Sequence, residues 1–154
     1  MRPSSVVRRP SSVGRRASFA IILLLAGAAL LGWLRDPGWL AGIESGFGRW
    51  ERANDGVAYR WTAGRASFFV PADLQAIEIP LRLPIQPGDW PAVVTISIDD
   101  RPADRVVMSE DGWQTRRVLL PPRGSRRLRR IDIHVDRTRP GNRGVVVGEV
   151  VRQP

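Results

Sequence analysis

Hydrophobic and polar residues alternate along most of the chain after residue 57. In AIEIPLRL, Ile77, Ile79, Leu81 and Leu83 share one side of an extended chain, opposite Glu78. A period of two residues is typical of a strand with one buried face. Turns rich in Pro, Gly and Asp separate further short runs of this kind, which are VAYRWT, ASFFV, AVVTISI, DRVVMS, TRRVLL, IDIHV and VVVGEVV. The pattern predicts a mostly β protein, an antiparallel β-sandwich of jelly-roll type with about eight strands.

The hydrophobic pattern before this region is continuous instead of alternating. ASFAIILLLAGAALLGWL, residues 17–34, contains no charged residue and lies between Arg16 and Arg35. A helix of this length rises about 27 Å, close to the ~30 Å hydrocarbon core of a bilayer. We therefore predict one transmembrane helix that acts as an uncleaved signal-anchor. A cleavable signal peptide is the alternative, because Ala26-Gly27-Ala28 has the small-x-small form of a cleavage site.

Charge sets the predicted topology. The first sixteen residues contain five arginines and no acid, which places the N-terminus in the cytoplasm and the β-domain outside. Arginine is the basic residue throughout and lysine is absent, a usage typical of GC-rich bacterial genomes. We expect a protein of the bacterial cytoplasmic membrane. Its predicted parts are a basic disordered tail at 1–16, the helix at 17–34, a juxtamembrane connector at 35–56 and the β-sandwich at 57–154.

The connector carries apolar residues at roughly helical intervals, namely Trp39, Leu40, Ile43, Phe47 and Trp50. Two interpretations remain open. The segment is either a helix on the membrane surface or a connector packed against the following domain.

The stretch RRIDIHVDRTR offers the best candidate for metal chemistry. Asp132, His134 and Asp136 share one face of the predicted strand, and carboxylates and imidazole are zinc ligands. The surrounding arginines oppose a bound cation and offer the acids partners. We therefore expect a solvated strand face with ion pairs and no metal.

Tryptophans and one basic loop are the candidate ligand contacts. Trp90 and Trp113 lie in predicted turns, where an exposed indole could stack on a sugar ring, although turn tryptophans also cap sandwich cores. Trp61 alternates with Tyr59, so we expect it to pack in the core. The loop PPRGSRRLRR adds Arg126 and Arg127 as possible contacts for an anionic glycan or lipid. The predicted outer location and the absence of interleaved aromatic residues argue against nucleic acid.

The sequence offers little for catalysis. There is no cysteine, one histidine, no Gly-rich phosphate loop and no serine in a nucleophile-elbow context. Glu110 and Asp111 are adjacent in a predicted turn, so they need not converge as an acid/base pair. We expect a protein that is not an enzyme and that uses no cofactor.

Several stretches together resemble a β-sandwich domain that forms the extracytoplasmic C-terminal part of bacterial multi-spanning, glycosyltransferase-like membrane proteins. The resemblance covers about residues 46–151. The matching residues are Gly46-Phe47, Trp50-Glu51, Gly56, Arg60-Trp61-Thr62, Ala66, Ile79-Pro80-Leu81-Arg82, Val94, Ile96, Asp99, Trp113, Leu120-Pro121, Arg129 to Asp132, Arg137-Thr138, Pro140, Arg143 and Val147-Gly148-Glu149. The segment from Arg139 to Val145 is shorter than the family's loop, and the multi-spanning catalytic part is missing from this chain.

This resemblance implies structural roles for several residues and a cell-envelope context. Arg60, Arg82 and Arg143 are expected to be buried or half-buried and to pair with Glu51 or Glu149. Trp50 and Trp61 are expected to be structural as well. No catalytic residue is carried over.

Three functions follow in order of preference. The first is a single-pass, membrane-anchored, non-catalytic β-sandwich, an accessory or carbohydrate-binding module that contacts envelope glycan or lipid-linked sugar. The second is a protein-interaction module that docks onto a separate membrane enzyme such as a glycosyltransferase. A metal-dependent hydrolase is a distant third.

Overall fold

The computed structural model describes residues 12–53, 56–84, 91–122 and 124–154. A unit that ends at Pro37 holds the helix α1, and Gly38–Pro154 forms a separate β-domain. The elements of the described residues are α1 (Ser12–Arg35), a 3-10 helix (Gly38–Gly42), β1 (Glu44–Phe47), β2 (Glu51–Arg52), β3 (Ala58–Pro71), β4 (Ala76–Arg82), β5 (Ala92–Ile98), β6 (Arg101–Met108), β7 (Trp113–Leu119), β8 (Leu128–Val135), β9 (Val146–Gly148) and β10 (Val151–Gln153).

The helix α1 begins earlier than residue 17, where the apolar run starts. It takes in residues 12–16 of the predicted tail, and residues 1–11 lie outside the described residues. Within the described chain, one apolar stretch, Ile21–Gly42, is long enough to cross a membrane.

The strands form an antiparallel β-sandwich, as the alternating pattern predicts. We call the sheet with the order β1-β3-β8-β5-β6 sheet A. Sheet B has the order β2-β3-β9-β4-β7, and β10 continues along the edge of β4 beyond β9. Because β3 belongs to both sheets, all strands form one continuous hydrogen-bonded system.

The core lies between the sheets and uses the predicted alternation. Ile77, Ile79 and Leu81 of β4 are fully buried, and Val94 with Ile96 of β5 are equally inaccessible. The chain places these β-branched and leucine side chains at every second position, so each strand presents one apolar face to the core. Burial of this apolar surface is the main favourable term in the folding of the domain.

Strand boundaries differ from the sequence pattern at three places. VAYRWT and ASFFV form a single strand, β3, because Ala63-Gly64-Arg65 between them carries no turn signal. VVVGEVV is divided into β9 and β10. The predicted connector at 35–56 contributes β1 and β2, which pair with β3, so its helical spacing does not produce a long helix. Strand pairing with β3 satisfies the backbone groups of this segment, which overrides the weak helical periodicity.

The crossing of β3 from one sheet to the other depends on Thr62. Its hydroxyl donates to the carbonyl of Val145 and accepts from the Val145 N–H, both at 3.0 Å. The Thr62 N–H donates to the same carbonyl at 2.8 Å, and the Gly144 N–H donates to the Thr62 carbonyl at 2.7 Å. Thr62 is 1% exposed and Val145 is fully buried. The Thr62 hydroxyl is therefore the acceptor that satisfies the buried Val145 N–H.

Thr62→Val is therefore expected to lower the free energy of unfolding by about 1–3 kcal/mol, the cost of a buried N–H without an acceptor. Thr62→Ser retains the hydroxyl and should recover most of that loss. Thr115→Val, at an exposed position of β7, is the matched control and should change the value by about 0.5 kcal/mol or less. Urea unfolding of the chain in detergent micelles measures all three. Equal stability of Thr62→Val and the wild type would contradict this role.

Candidate functional site

The outer face of sheet B is lined with aromatic residues because of the alternation in β3. Arg60 and Thr62 point toward the core side and are buried, so Tyr59 and Trp61 point outward and are half-buried. Trp61 is therefore not a core residue, which corrects the expectation from its alternation with Tyr59. The predicted alternation in β3 is present, but Arg60 and Thr62, not Tyr59 and Trp61, face the core.

Trp113 joins the same face from the other side of the sheet. Paired residues across sheet B form the row Trp61, Val146, Arg82 and Trp113. Neighbouring strands lie about 4.8 Å apart, so this row spans about 14 Å. Trp113 is half-buried and is the first residue of β7, instead of lying in the turn where we expected it. We call Tyr59, Trp61 and Trp113 the aromatic face.

A glycine lets the indole of Trp113 lie close to the sheet. A Cβ atom on Gly148 would lie 3.1 Å from Cβ of Pro80 and 3.4 Å from Cζ3 of Trp113. Gly148 therefore leaves room for the ring above β9. The indole Nε1 of Trp113 is buried and has no acceptor among the described residues.

Hydrogen-bonded charged groups lie beside the aromatic residues of this face. Arg82 donates to Asp111 at 2.7 and 3.3 Å, and this hydrogen-bonded pair holds the pKa of the Asp111 carboxyl below its usual value. The Tyr59 hydroxyl donates to Glu51 at 3.1 Å, which raises the pKa of the Tyr59 phenol. At neutral pH, Asp111 is therefore ionised and Tyr59 is neutral.

Three open clefts run along the aromatic face and share its tryptophans. A polar cleft of about 430 Å³ is lined by Trp61 together with residues 46–49 and 141–143. A second cleft, of about 250 Å³, lies between Trp61 and Trp113 and includes Tyr59 and Arg82. The third, of about 400 Å³, lies next to Trp113 along the strand direction, over Ala58, Pro80 and Gly148. Neighbouring clefts share a tryptophan in their lining, and we call the three clefts together the track.

Arg60 holds residues 44–50 against β3 within the β-domain. Its guanidinium makes a two-pronged ion pair with Glu44, which lowers the pKa of that carboxyl. It lies 3.8 Å from the ring centroid of Phe47 and 4.6 Å from that of Trp50. Arg60 is 7% exposed, so Glu44 supplies the counter-charge that its burial requires.

Arg60, Arg82 and Arg143 do not form the ion pairs with Glu51 or Glu149 that we expected. Glu51 pairs with Tyr59 across β2 and β3 and lies on the outer face, so Arg60, on the opposite face, cannot reach it. Arg82 binds Asp111 instead of Glu149. Arg143 is exposed, with its guanidinium 5.5 Å from the ring centroid of Trp61.

The candidate metal residues are occupied by other interactions. Asp132 is 5% exposed and pairs with Arg130 at 2.8 Å and Arg65 at 3.5 Å. Asp136 accepts the Val93 N–H at 2.7 Å. His134 is exposed, and the described residues contain no group of three potential metal ligands. Asp132 is buried by its arginines, so this part of the strand face is less solvated than we expected.

The candidate ligand residues are not brought together. Trp90 lies outside the described residues. Arg126 and Arg127 are exposed in the loop after β7, where the Arg127 carbonyl accepts from Ala72. Trp113 begins β7, whose seven residues extend about 23 Å, so this loop lies at the opposite end of the domain. Sequence analysis missed the roles of Tyr59 and Gly148, because neither the buried face of β3 nor the neighbours of Gly148 can be read from the local pattern.

No family model matches the chain, and no curated protein matches it. Similar solved structures include a family GH115 4-O-methyl-alpha-glucuronidase with specificity for decorated arabinogalactans. It has 13% identity and a TM-score of 0.43 over 73% of this chain, which spans 17% of that enzyme. Another is the CBM36-1 domain of a multidomain xylanase from the hindgut metagenome of Trinervitermes trinervoides. It has 13% identity and a TM-score of 0.39, over 67% of this chain and 88% of that domain. Similarity at this level carries no functional argument.

Gly148→Val is expected to push Trp113 off the sheet, because the new side chain needs the space that Pro80 and the indole occupy. We expect a loss of about 1–3 kcal/mol in the free energy of unfolding. Gly112→Val is the matched control, since a Cβ there meets nothing within 4 Å. Thermal or urea unfolding compares the two variants. Equal effects would show that Trp113 does not depend on the gap at Gly148.

Proposed function

We propose that the protein is a membrane-anchored, non-catalytic β-sandwich that binds an envelope glycan on the outer face of sheet B. The observation that carries the proposal is the aromatic face. Tyr59, Trp61 and Trp113 are placed outside the core, although core burial is the usual way to use such large apolar side chains.

Aromatic rings next to hydrogen-bonding groups suit a sugar. A pyranose ring has an apolar face of C–H groups and an edge of hydroxyls, so it can stack on an indole while its hydroxyls bind nearby polar groups. Trp61 and Trp113 provide the rings, and Arg82 and Glu51 provide polar groups within the same track. Apolar area removed from water contributes about 25 cal/mol per Å². A few stacked rings therefore support useful affinity for an oligosaccharide.

Two carboxylates of this face, Asp111 and Glu51, support binding over hydrolysis. A glycosidase needs two carboxyl groups, one of them with a raised pKa so that it can donate a proton. Asp111 has the opposite shift, because Arg82 lowers its pKa. Glu51 is engaged by the Tyr59 hydroxyl. Neither group is prepared to act as a general acid.

The apolar stretch Ile21–Gly42 supports the membrane part of the proposal. It follows an arginine-rich N-terminus, an arrangement that favours a cytoplasmic tail and an external β-domain. Glycan binding outside the bacterial cytoplasmic membrane would fit an accessory role in envelope glycan assembly. The resemblance to a domain of glycosyltransferase-like membrane proteins points to the same context.

A protein-interaction module is the second candidate. Val107 of β6 and Leu119 of β7 are 58% and 70% exposed on strands at the sheet edges. Exposed apolar residues on edge strands can receive a partner strand. A membrane enzyme, such as a glycosyltransferase, is the partner that this hypothesis names.

The test is binding of the full chain in detergent micelles to an array of bacterial envelope and plant cell-wall oligosaccharides. Trp113→Ala and Trp61→Ala should each weaken binding to any bound glycan by about tenfold or more, a loss of ~1.4 kcal/mol. Leu119→Ala is the control, since it lies on the same strand and face as Trp113 at the other end.

An array without signal, obtained with folded protein, would contradict the glycan proposal and favour the protein partner. Binding that is weakened equally by Leu119→Ala would place the ligand elsewhere.

A further inference from the structure

We propose, on the basis of the proposed function, that the ligand is an extended acidic glycan, whose acid group binds Arg143 and Arg49 at the Trp61 end of the track. The sugar rings would then contact the indoles of Trp61 and Trp113. The length of the track, its charge and the rigidity of its polar end support this assignment.

The length favours a chain of sugars over a single one. The row from Trp61 to Trp113 spans about 14 Å across the strands. The polar cleft extends the track beyond Trp61, and the cleft beside Glu149 widens it along the strands next to Trp113. A single pyranose would fill only one of these clefts.

Positive charge without a paired carboxylate lies at the Trp61 end of the track. Arg49 and Arg143 line the polar cleft, and no carboxylate lies within ion-pair distance of either one in the described chain. By contrast, Arg82 in the central cleft is neutralised by Asp111. Glu51 is the acid of the polar cleft, and its single negative charge is outnumbered by the two arginines. The polar cleft therefore attracts an anion, and the centre of the track does not.

Hydrogen bonds fix the backbone of the turn that contains Arg143. The Arg139 N–H donates to the Arg143 carbonyl at 2.7 Å, and the Arg143 N–H returns a bond to Arg139 at 3.3 Å. Gly141 and Asn142 between them have positive φ values of 77° and 57°. The Asn142 side chain accepts the Gly64 N–H at 3.3 Å, which ties the turn to β3. Because the backbone of Arg143 is already ordered, ligand binding would cost little further conformational entropy there.

The opposite wall of the cleft is equally constrained. Gly46 has φ 73°, and a Cβ there would lie 2.0 Å from the Arg65 carbonyl oxygen. Only glycine fits this approach, which places the backbone of residues 46–49 against β3. Arg49 belongs to this segment and lines the cleft.

A carboxylate suits the guanidinium of Arg143. The guanidinium donates two parallel hydrogen bonds to a carboxylate, and it can stack on an aromatic ring at the same time. Arg143 already lies over Trp61. A uronic acid would place its carboxylate at Arg143 while its ring contacts the indole.

The test compares two oligosaccharides that differ only in charge. Full-length protein in detergent micelles is titrated with an α-galacturonate hexamer and with its carboxyl-reduced, neutral form. We expect the acidic form to bind about 10- to 100-fold more tightly, the range for hydrogen bonds to charged groups. Arg143→Ala should abolish this preference, and Arg143→Lys should retain part of it. Arg126→Ala, at the other end of the domain, should leave it unchanged.

The remaining outcomes separate the two proposals. Equal binding of both hexamers, weakened by Trp113→Ala, would overturn the acidic ligand and leave the glycan-binding face intact. Binding of neither hexamer would overturn the acidic-glycan inference, while the oligosaccharide array decides the glycan proposal separately. Poly-L-glutamate carries carboxylates without sugar rings. If it binds as tightly as the acidic hexamer, the attraction is unspecific charge and the inference is wrong.

Discussion

The shared strand β3 is the constraint on which the other features depend. Its fourteen residues pair with β2 and β9 at one end and with β1 and β8 at the other. Because the strand is unbroken, the two-residue alternation keeps one phase throughout. Arg60 and Thr62 therefore face the same side as the core residues Phe68 and Val70. This phase puts two polar side chains inside and aromatic rings outside.

The two inward polar residues are each satisfied in a different way. Thr62 bonds both backbone groups of Val145, which holds β9 beside β3. Arg60 is neutralised by Glu44 and covered by two aromatic rings, which holds β1 and β2 in place. The segment after α1 thereby becomes one wall of the polar cleft. The contacts that stabilise the domain also build the proposed ligand site.

Much of the fold was predictable, because alternation in AIEIPLRL and AVVTISI reports core burial directly. The site was less predictable. In VAYRWT the alternation identifies two faces but does not tell which is buried, and intrinsic hydrophobicity suggests the wrong one. The counter-charge that allows Arg60 to be buried comes from Glu44, sixteen residues away, and no local pattern indicates this pair. Similarly, the gap above Gly148 depends on Pro80 and Trp113, which come from two other strands.

The central claim is that Trp61 and Trp113 contact a glycan together. The most direct test is an NMR titration of the full chain in micelles with the oligosaccharide that binds most tightly in the array. The tryptophans carry ¹⁵N in the indole, and each indole signal is assigned by substituting one tryptophan at a time. The account predicts saturable shifts of the Trp61 and Trp113 indole signals with one shared dissociation constant, while Trp39 stays unchanged. Shifts confined to other tryptophans, or no shift with a ligand that binds, would contradict it.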